Sequence, residues 1–139
     1  MAPVSIETTT LLARIAFLVG AITDGLAIIP MLSRRAGAAL FGGDSSRNTT
    51  EYRYAMGIGA SLMAGWTLLL LWGAANPIER RDILILTVCP VIMGIVVATV
   101  IAARRGIVRV SRAIPLWIHL TLVSLFYVYV YLCSAPFVR

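Results

Sequence analysis

The chain has 139 residues, of which 60% are hydrophobic and only 13% are charged, with a formal net charge of +6 at pH 7. A soluble domain has about 45–50% apolar and about 25% charged residues, and a soluble chain this short could not bury so much apolar surface. The twelve basic residues are all arginine and stand at the ends of apolar runs, not in a basic patch with interleaved aromatic residues. The composition therefore predicts one integral membrane domain and excludes a nucleic-acid partner.

Four apolar runs follow one another along the chain, each long enough to cross about 30 Å of hydrocarbon. The first begins after the threonines at positions 8–10, where a helix N-cap is expected, and the others stop at Asn76–Pro77, at Arg104–Gly106 and at Pro136. Backbone polar groups in lipid must pair within their own segment, so each run is predicted to be a helix. The predicted fold class is an all-α integral membrane protein, an antiparallel bundle of four transmembrane helices at residues 10–33, 54–75, 83–103 and 113–135.

Arginine is distributed unequally between the two sides of this bundle. The first and third loops carry eight of the twelve arginines, whereas the other side has Arg80, Arg81 and Arg139, with Arg14 just inside the first helix. Basic residues favour cytoplasmic loops, so these two loops are predicted to be cytoplasmic and both termini outside, in the inner membrane of a cell. The N-terminus has no positive n-region and no cleavage site, so the first run is interpreted as a retained helix.

A single carboxylate, Asp24, lies inside the first apolar run. A carboxylate is costly in hydrocarbon and by default faces a partner, a cavity or a pathway. Asp24 continues a stripe of small residues at roughly helical spacing, formed with Ala16, Gly20 and Ala27. Such stripes let two helix backbones approach closely, so Asp24 is predicted to face protein and not lipid.

Similar stripes occur on two other helices. They consist of Gly57, Ser61 and Gly65 in the second helix and of Gly94, Ala98 and Ala102 in the third. The favoured interpretation is packing inside the bundle, and a homodimer seam through one of the stripes is the alternative. Pro90 is predicted to kink the third helix and to widen the outer half of the bundle into a pocket.

His119 is the only histidine and lies about as deep in the fourth helix as Asp24 lies in the first. If the two helices are neighbours, carboxylate and imidazole would each favour the charged form of the other and could hold or relay a proton. The simpler alternative is that His119 pairs with a local backbone group or with a hydroxyl such as that of Thr23. Ser61 and Trp66 complete the predicted set of ligand-binding or proton-carrying residues.

Residues near the helix ends have structural explanations. Glu51 and Arg53 lie at the cytoplasmic mouth of the second helix, where negative charge near a helix N-terminus and ion pairing are expected. Tyr127, Tyr129 and Tyr131 approach the outer end of the fourth helix and are interpreted as part of an aromatic belt at the membrane interface.

The sequence contains no hydrolase motif, phosphate-binding loop or metal-ligand cluster, and no cofactor or metal is expected. Cys89 and Cys133 lack CxxC spacing, and a disulfide between them is not expected. The leading hypothesis is a small non-enzymatic membrane protein that binds an apolar or cationic small molecule, or a partner helix, in a pocket near Asp24.

Three alternatives stay open. The first is a proton-coupled small-molecule transporter that uses Asp24 and His119 as titrating groups. The second is a membrane enzyme acting on a lipid or a quinone, with His119 as acid or base. The third is an accessory subunit of a larger membrane complex, in which a membrane-protein partner would cover part of the bundle.

Overall fold

The computed structural model describes residues 5–33, 35–36 and 49–137, and every regular element within these ranges is helical. Four long helices follow in order: α1, Ile6–Leu32; α2, Thr50–Ala75; α3, Asp82–Arg104; and α4, Val110–Ser134, extended by a 3-10 turn at Ala135–Phe137. Each is long and apolar enough to cross a membrane, so the described residues contain the four apolar helices that the sequence predicts. Most of the first loop, with Asp44–Asn48, lies outside the described residues.

Side-chain caps explain why α1 and α2 each begin four residues before their predicted starts. The Ser5 hydroxyl accepts a hydrogen bond from the Thr8 backbone N–H at 3.3 Å, so the threonines at positions 8–10 belong to the helix and do not precede it. The Thr49 hydroxyl accepts from the Tyr52 N–H at 3.2 Å in the same way. Both caps satisfy N–H groups that a helix start leaves without an intrahelical partner.

α3 is not a uniform α-helix. Its middle, Thr87–Ile92, is a π-helical turn that contains Pro90, between α-helical parts at Asp82–Leu86 and Met93–Arg104. A proline inside a helix removes one backbone donor, and a wider turn is one way to accommodate it. The helix ends in a Schellman motif, with Gly106 at φ 68° and the Ile107 N–H donating to the Ala102 carbonyl at 2.9 Å.

The four helices pack in a closed cycle. α1 has its most extensive contact with α2 and also contacts α4, while α3 packs mainly on α4 and touches α2 near its own beginning. α1 and α2 run in opposite directions, because Gly73 of α2 lies against Phe17 whereas Gly59 lies against Met31. α1 and α4 are therefore neighbours, as the hypothesis of a site between them requires.

The buried core occupies one end of this assembly. This turn end, which contains the short connection 76–81, holds the largest fully buried apolar side chains: Phe17, Leu70, Leu84, Tyr127 and Val130. At the opposite end, here called the loop end, the last part of α3, Met93–Arg104, has no buried residue. The buried residues of the π-helical turn and its neighbours belong to the packed part: Ile83, Leu84, Thr87 and Ile92. A pocket opened by Pro90 stays a prediction.

Two arginines close the turn end. Arg80 lies over the Trp72 ring, 3.5 Å from its centroid, and donates to the Trp72 carbonyl in the last turn of α2. Arg81 lies 4.7 Å from the centroid of the Tyr131 ring and donates to the Tyr131 carbonyl near the end of α4 at 3.5 Å. Positive groups at helix C-termini are favourable, so the connection 76–81 ties the ends of α2 and α4.

Candidate functional site

Asp24 lies on α1 about one turn beyond Gly20 and Ala21, the last buried residues of that helix. The residue as a whole is half-buried, but its Oδ2 atom is fully buried and has no hydrogen-bond partner in the described part of the chain. Ala16 and Gly20, which precede Asp24 in the same stripe, are buried as well. The carboxylate therefore turns one oxygen toward the protein interior, in agreement with the face deduced from the stripe.

Tyr127 of α4 supplies a second unpartnered polar atom. The side chain is 0% exposed, and its hydroxyl is buried with no hydrogen-bond partner among residues 5–33, 35–36 and 49–137. It lies against Gly20, since a Cβ atom at that position would collide with the Tyr127 hydroxyl and come within 3.1 Å of Leu70 Cδ1. The missing side chain of Gly20 thus admits the phenol between α1 and α4. The assignment of Tyr127 to an interface belt is wrong.

The two unpartnered atoms belong to one seam. Gly20 and Asp24 are one helical turn apart on the same face of α1, which is roughly 6 Å along the axis. The Tyr127 hydroxyl is in contact with the position of Gly20, so the carboxylate lies about one turn from it toward the loop end. A carboxylate accepts hydrogen bonds, and a phenol can donate or accept them. The seam therefore offers one ligand both a hydrogen-bond acceptor and a hydrogen-bond donor.

Tyr127 lies on the buried face of α4. The buried residues of this helix follow steps of seven, three and four positions: Ala113, Leu120, Tyr127, Val130 and Ser134. This spacing defines one helix face. Tyr129 is exposed, and Tyr131 stacks with Arg81, so the three tyrosines have different environments despite their even spacing.

His119 does not join this seam. It is exposed on α4, and within the described residues it forms neither a hydrogen bond nor an ion pair with Asp24. The next residue, Leu120, lies on the buried face of α4. His119 therefore points about 100° away from the direction of Leu120. The structure brings α1 and α4 together as the hypothesis required, but with Tyr127 at the seam instead of His119.

The remaining predicted site residues of α1 and α2 are engaged elsewhere. The Thr23 hydroxyl donates to the Val19 carbonyl at 2.7 Å, and the exposed Ser61 hydroxyl donates to the Gly57 carbonyl at 3.0 Å. Both bonds lie within a single helix, so neither hydroxyl is directed to Asp24 by a hydrogen bond.

Trp66 has a definite partner in α3. Its indole Nε1–H donates to the Thr87 hydroxyl at 3.2 Å, and Thr87 in turn donates to the Ile83 carbonyl at 2.7 Å. This pair joins α2 to the start of the π-helical turn. Glu51 and Arg53 are exposed in the first turn of α2, next to the Thr49 cap and far along the helix from Trp66.

The small-residue stripes differ in their surroundings. The stripe of α1 packs inside the assembly, but a Cβ atom added at Gly57, Gly65 or Gly94 would meet nothing within 4 Å. Ser61 between the first two is exposed. Internal packing is therefore the wrong interpretation for the stripes of α2 and α3. A homodimer seam through them stays a prediction.

No group of three His, Cys, Asp or Glu side chains within the described ranges could hold a metal ion. Cys89 is exposed and Cys133 half-buried, and both are free thiols. Comparison with known proteins gives no match, since no family model, curated protein or solved structure is similar to this chain.

Proposed function

We propose that this chain is a small membrane protein that binds a cationic small molecule between α1 and α4, with Asp24 as counterion and the Tyr127 hydroxyl as a hydrogen-bonding group. Four apolar helices of membrane-spanning length support a bilayer as its setting. We infer further that they form an antiparallel bundle with both termini and the turn end outside. The observation that carries the proposal is the pair of buried, unpartnered polar atoms on facing helices.

A cation is the guest that the chemistry favours. An ionised carboxylate in a poorly solvated site is stable only when a positive group or several donors lie beside it. No arginine in the described part of the chain lies within 4.0 Å of Asp24, and Arg14 on the same helix is exposed. A guest ammonium group would complete the charge pair and would donate a hydrogen bond to the Tyr127 hydroxyl.

The location of Asp24 favours access from one direction. The turn-end side of the seam is closed by Phe17, Leu70 and Tyr127, which are fully buried. Within α1, by contrast, no residue after Ala21 is buried. An amphipathic amine would therefore enter from the loop-end half of the seam, with its ammonium group leading and its hydrocarbon in the apolar surroundings.

The test compares dodecylamine with dodecanol, which has the same chain length but no charge, by calorimetric titration of the protein in phosphatidylcholine nanodiscs. Empty nanodiscs correct for partition into lipid. We expect the wild type to prefer the amine, and Asp24→Asn to lower amine affinity about tenfold or more, as expected for loss of a charge-assisted hydrogen bond. Dodecanol binding should not change.

Asp82→Asn is the matched control. The Asp82 side chain lies at the start of α3, outside the seam, and is 75% exposed, so this variant removes the same charge without changing the candidate site. This variant should keep the wild-type preference for the amine. Tyr127→Phe should weaken amine binding by a smaller factor, about threefold to tenfold. An amine preference that survives Asp24→Asn would overturn the proposed function.

A further inference from the structure

The positive charge of this chain is concentrated at the loop end. The two segments that contain the connections at this end, residues 33–53 and 104–112, carry eight arginines and two acidic residues, so their net charge of +6 equals the formal charge of the whole chain. The turn end has four arginines against Glu7, Glu79 and Asp82, and Asp24 lies between the two ends. Charge is therefore nearly balanced at one end of the bundle and strongly positive at the other.

Half of the loop-end arginines lie in one short segment, residues 104–112, here called the arginine turn. Arg104 and Arg105 end α3, Arg109 directly precedes α4 and Arg112 lies in its first turn, and all four are exposed. The Schellman motif between them folds the chain back, so the two pairs flank the turn. No acidic side chain in the described part of the chain lies within 4.0 Å of any of them.

The stability of the helices does not explain this arrangement. α4 begins at Arg109 without a side-chain cap and has no acidic residue in its first turn, which contains Arg112. Positive charge near a helix N-terminus is unfavourable, and α1 and α2 have Glu7 and Glu51 at the corresponding place. The arginine turn therefore lowers the stability of the start of α4 unless an anion from outside the chain neutralises it.

Apolar residues among these arginines indicate which anion. Ile107 is 56% exposed and Val110 52% exposed, and the turn joins two helices of membrane-spanning length. At the boundary between headgroups and acyl chains, such apolar side chains reach hydrocarbon while arginine pairs with lipid phosphate. A soluble acidic partner would give the apolar side chains no such environment.

We propose that the arginine turn binds anionic phospholipid headgroups, such as that of phosphatidylglycerol, in the leaflet at the loop end. The guanidinium groups pair with the headgroup phosphates, and Ile107 and Val110 enter the adjoining acyl region. This inference rests on the membrane setting of the proposed function but not on amine binding.

Quenching of tryptophan fluorescence by brominated lipids tests it. The protein is reconstituted in bilayers of equal amounts of phosphatidylglycerol and phosphatidylcholine, only one of which carries bromine on its acyl chains. The chain has three tryptophans, and the Trp66→Phe/Trp72→Phe variant keeps the half-buried Trp117, five residues after Arg112, as the reporter. Phosphatidylglycerol should associate at least about threefold more strongly than phosphatidylcholine. Both leaflets have one composition, so the direction of insertion does not affect the result.

Glutamine substitutions in the reporter variant locate the source of this preference. Replacing Arg104, Arg105, Arg109 and Arg112 together should lower it to less than about half, and high salt should lower it as well, because salt screens exposed charges. Arg109→Gln alone should lower it by a smaller factor. Arg14→Gln is the matched control, since this exposed arginine lies in the turn-end half of α1, and it should leave the preference unchanged. Circular dichroism checks that each variant is folded.

Three results would overturn the inference. They are equal association of the two lipids with the reporter variant, a preference that survives loss of all four arginines, and equal losses in Arg109→Gln and Arg14→Gln. The amine titration uses phosphatidylcholine alone, so none of these results bears on amine binding. The two proposals therefore fail separately.

Discussion

At the turn end, Phe17, Leu70, Leu84, Tyr127 and Val130 fill the space between the helices and are fully buried. At the loop end, the same four helices have only scattered buried residues, such as Ala60 and Ala113, and the last part of α3 has none. Both ends are rich in apolar side chains, so composition does not distinguish them. The difference lies in where glycine and alanine let large side chains enter between helices.

The difference between the two ends bears on Asp24, which lies between them. In a lipid environment apolar side chains gain little by leaving the solvent, so close packing and hydrogen bonds carry helix association. The turn end is packed in this way, with the Tyr127 hydroxyl in contact with the position of Gly20. Asp24 lies at the border between the packed turn end and the loop end, where α1 has no further buried residue.

The largest expected effect is that of Gly73→Ala. A Cβ atom at Gly73 would meet three atoms of the Phe17 ring at impossibly short range, so either the ring or the two helices must move. We expect the free energy of unfolding in detergent to fall by about 1–3 kcal/mol, the usual cost of overpacking a core. Titration with sodium dodecyl sulfate, followed by circular dichroism, measures it.

The same change at the loop end of α2, Gly57→Ala, is the matched control. A Cβ atom there meets nothing within 4 Å, and alanine has the higher helix propensity. The free energy of unfolding should stay the same or rise by less than about 1 kcal/mol. Equal losses of unfolding free energy in the two variants would mean that the turn end and the loop end are packed alike.

The helices and the face of Asp24 were predictable from the sequence, but the α4 residue that reaches the same seam was not. The helices were predictable because about 20 apolar residues in a row have one stable form in lipid. The face of Asp24 was predictable because Ala16 and Gly20 precede it at helical spacing and pack inside. Both are local properties of the chain.

Tyr127 and His119 were misjudged because their environments depend on tertiary structure. Tyr127 is buried only because Gly20, more than a hundred residues earlier, leaves room for its hydroxyl. His119 was placed by its depth in the sequence, but depth does not determine which side of α4 faces α1, and its side chain is exposed. The stripe of Gly57 and Gly65 fits helix packing and lipid contact equally well, and the sequence of α2 alone could not decide between them.

The second prediction concerns the contact that builds the candidate site. Gly20→Ala should lower the free energy of unfolding by about 2 kcal/mol, because the new Cβ atom collides with the Tyr127 hydroxyl. Adding Tyr127→Phe removes that oxygen and should recover about 1 kcal/mol, a coupling that a double-mutant cycle measures. Tyr127→Phe alone should be close to neutral, because the hydroxyl it removes is buried without a partner.

Gly25→Ala serves as the control for this cycle. Its Cβ position lies 3.8 Å from Thr67 Cγ2, an ordinary van der Waals distance, so the change should cost little and should not couple to Tyr127→Phe. If Gly20→Ala and Tyr127→Phe proved additive, the phenol would not be seated on Gly20.

The smallest expected effect concerns the hydrogen bond between α2 and α3. Thr87→Val removes the acceptor of the Trp66 indole N–H and should lower the free energy of unfolding by about 1 kcal/mol. Thr121→Val is the matched control, because the exposed Thr121 hydroxyl donates only to the Trp117 carbonyl of its own helix, and should change stability by less than about 0.5 kcal/mol. With Trp72 and Trp117 replaced by Phe, the remaining emission reports Trp66, and it should shift in Thr87→Val alone, since only there does the indole lose its partner. Equal effects on stability and emission would show that the hydrogen bond between Trp66 and Thr87 does not contribute to the contact between α2 and α3.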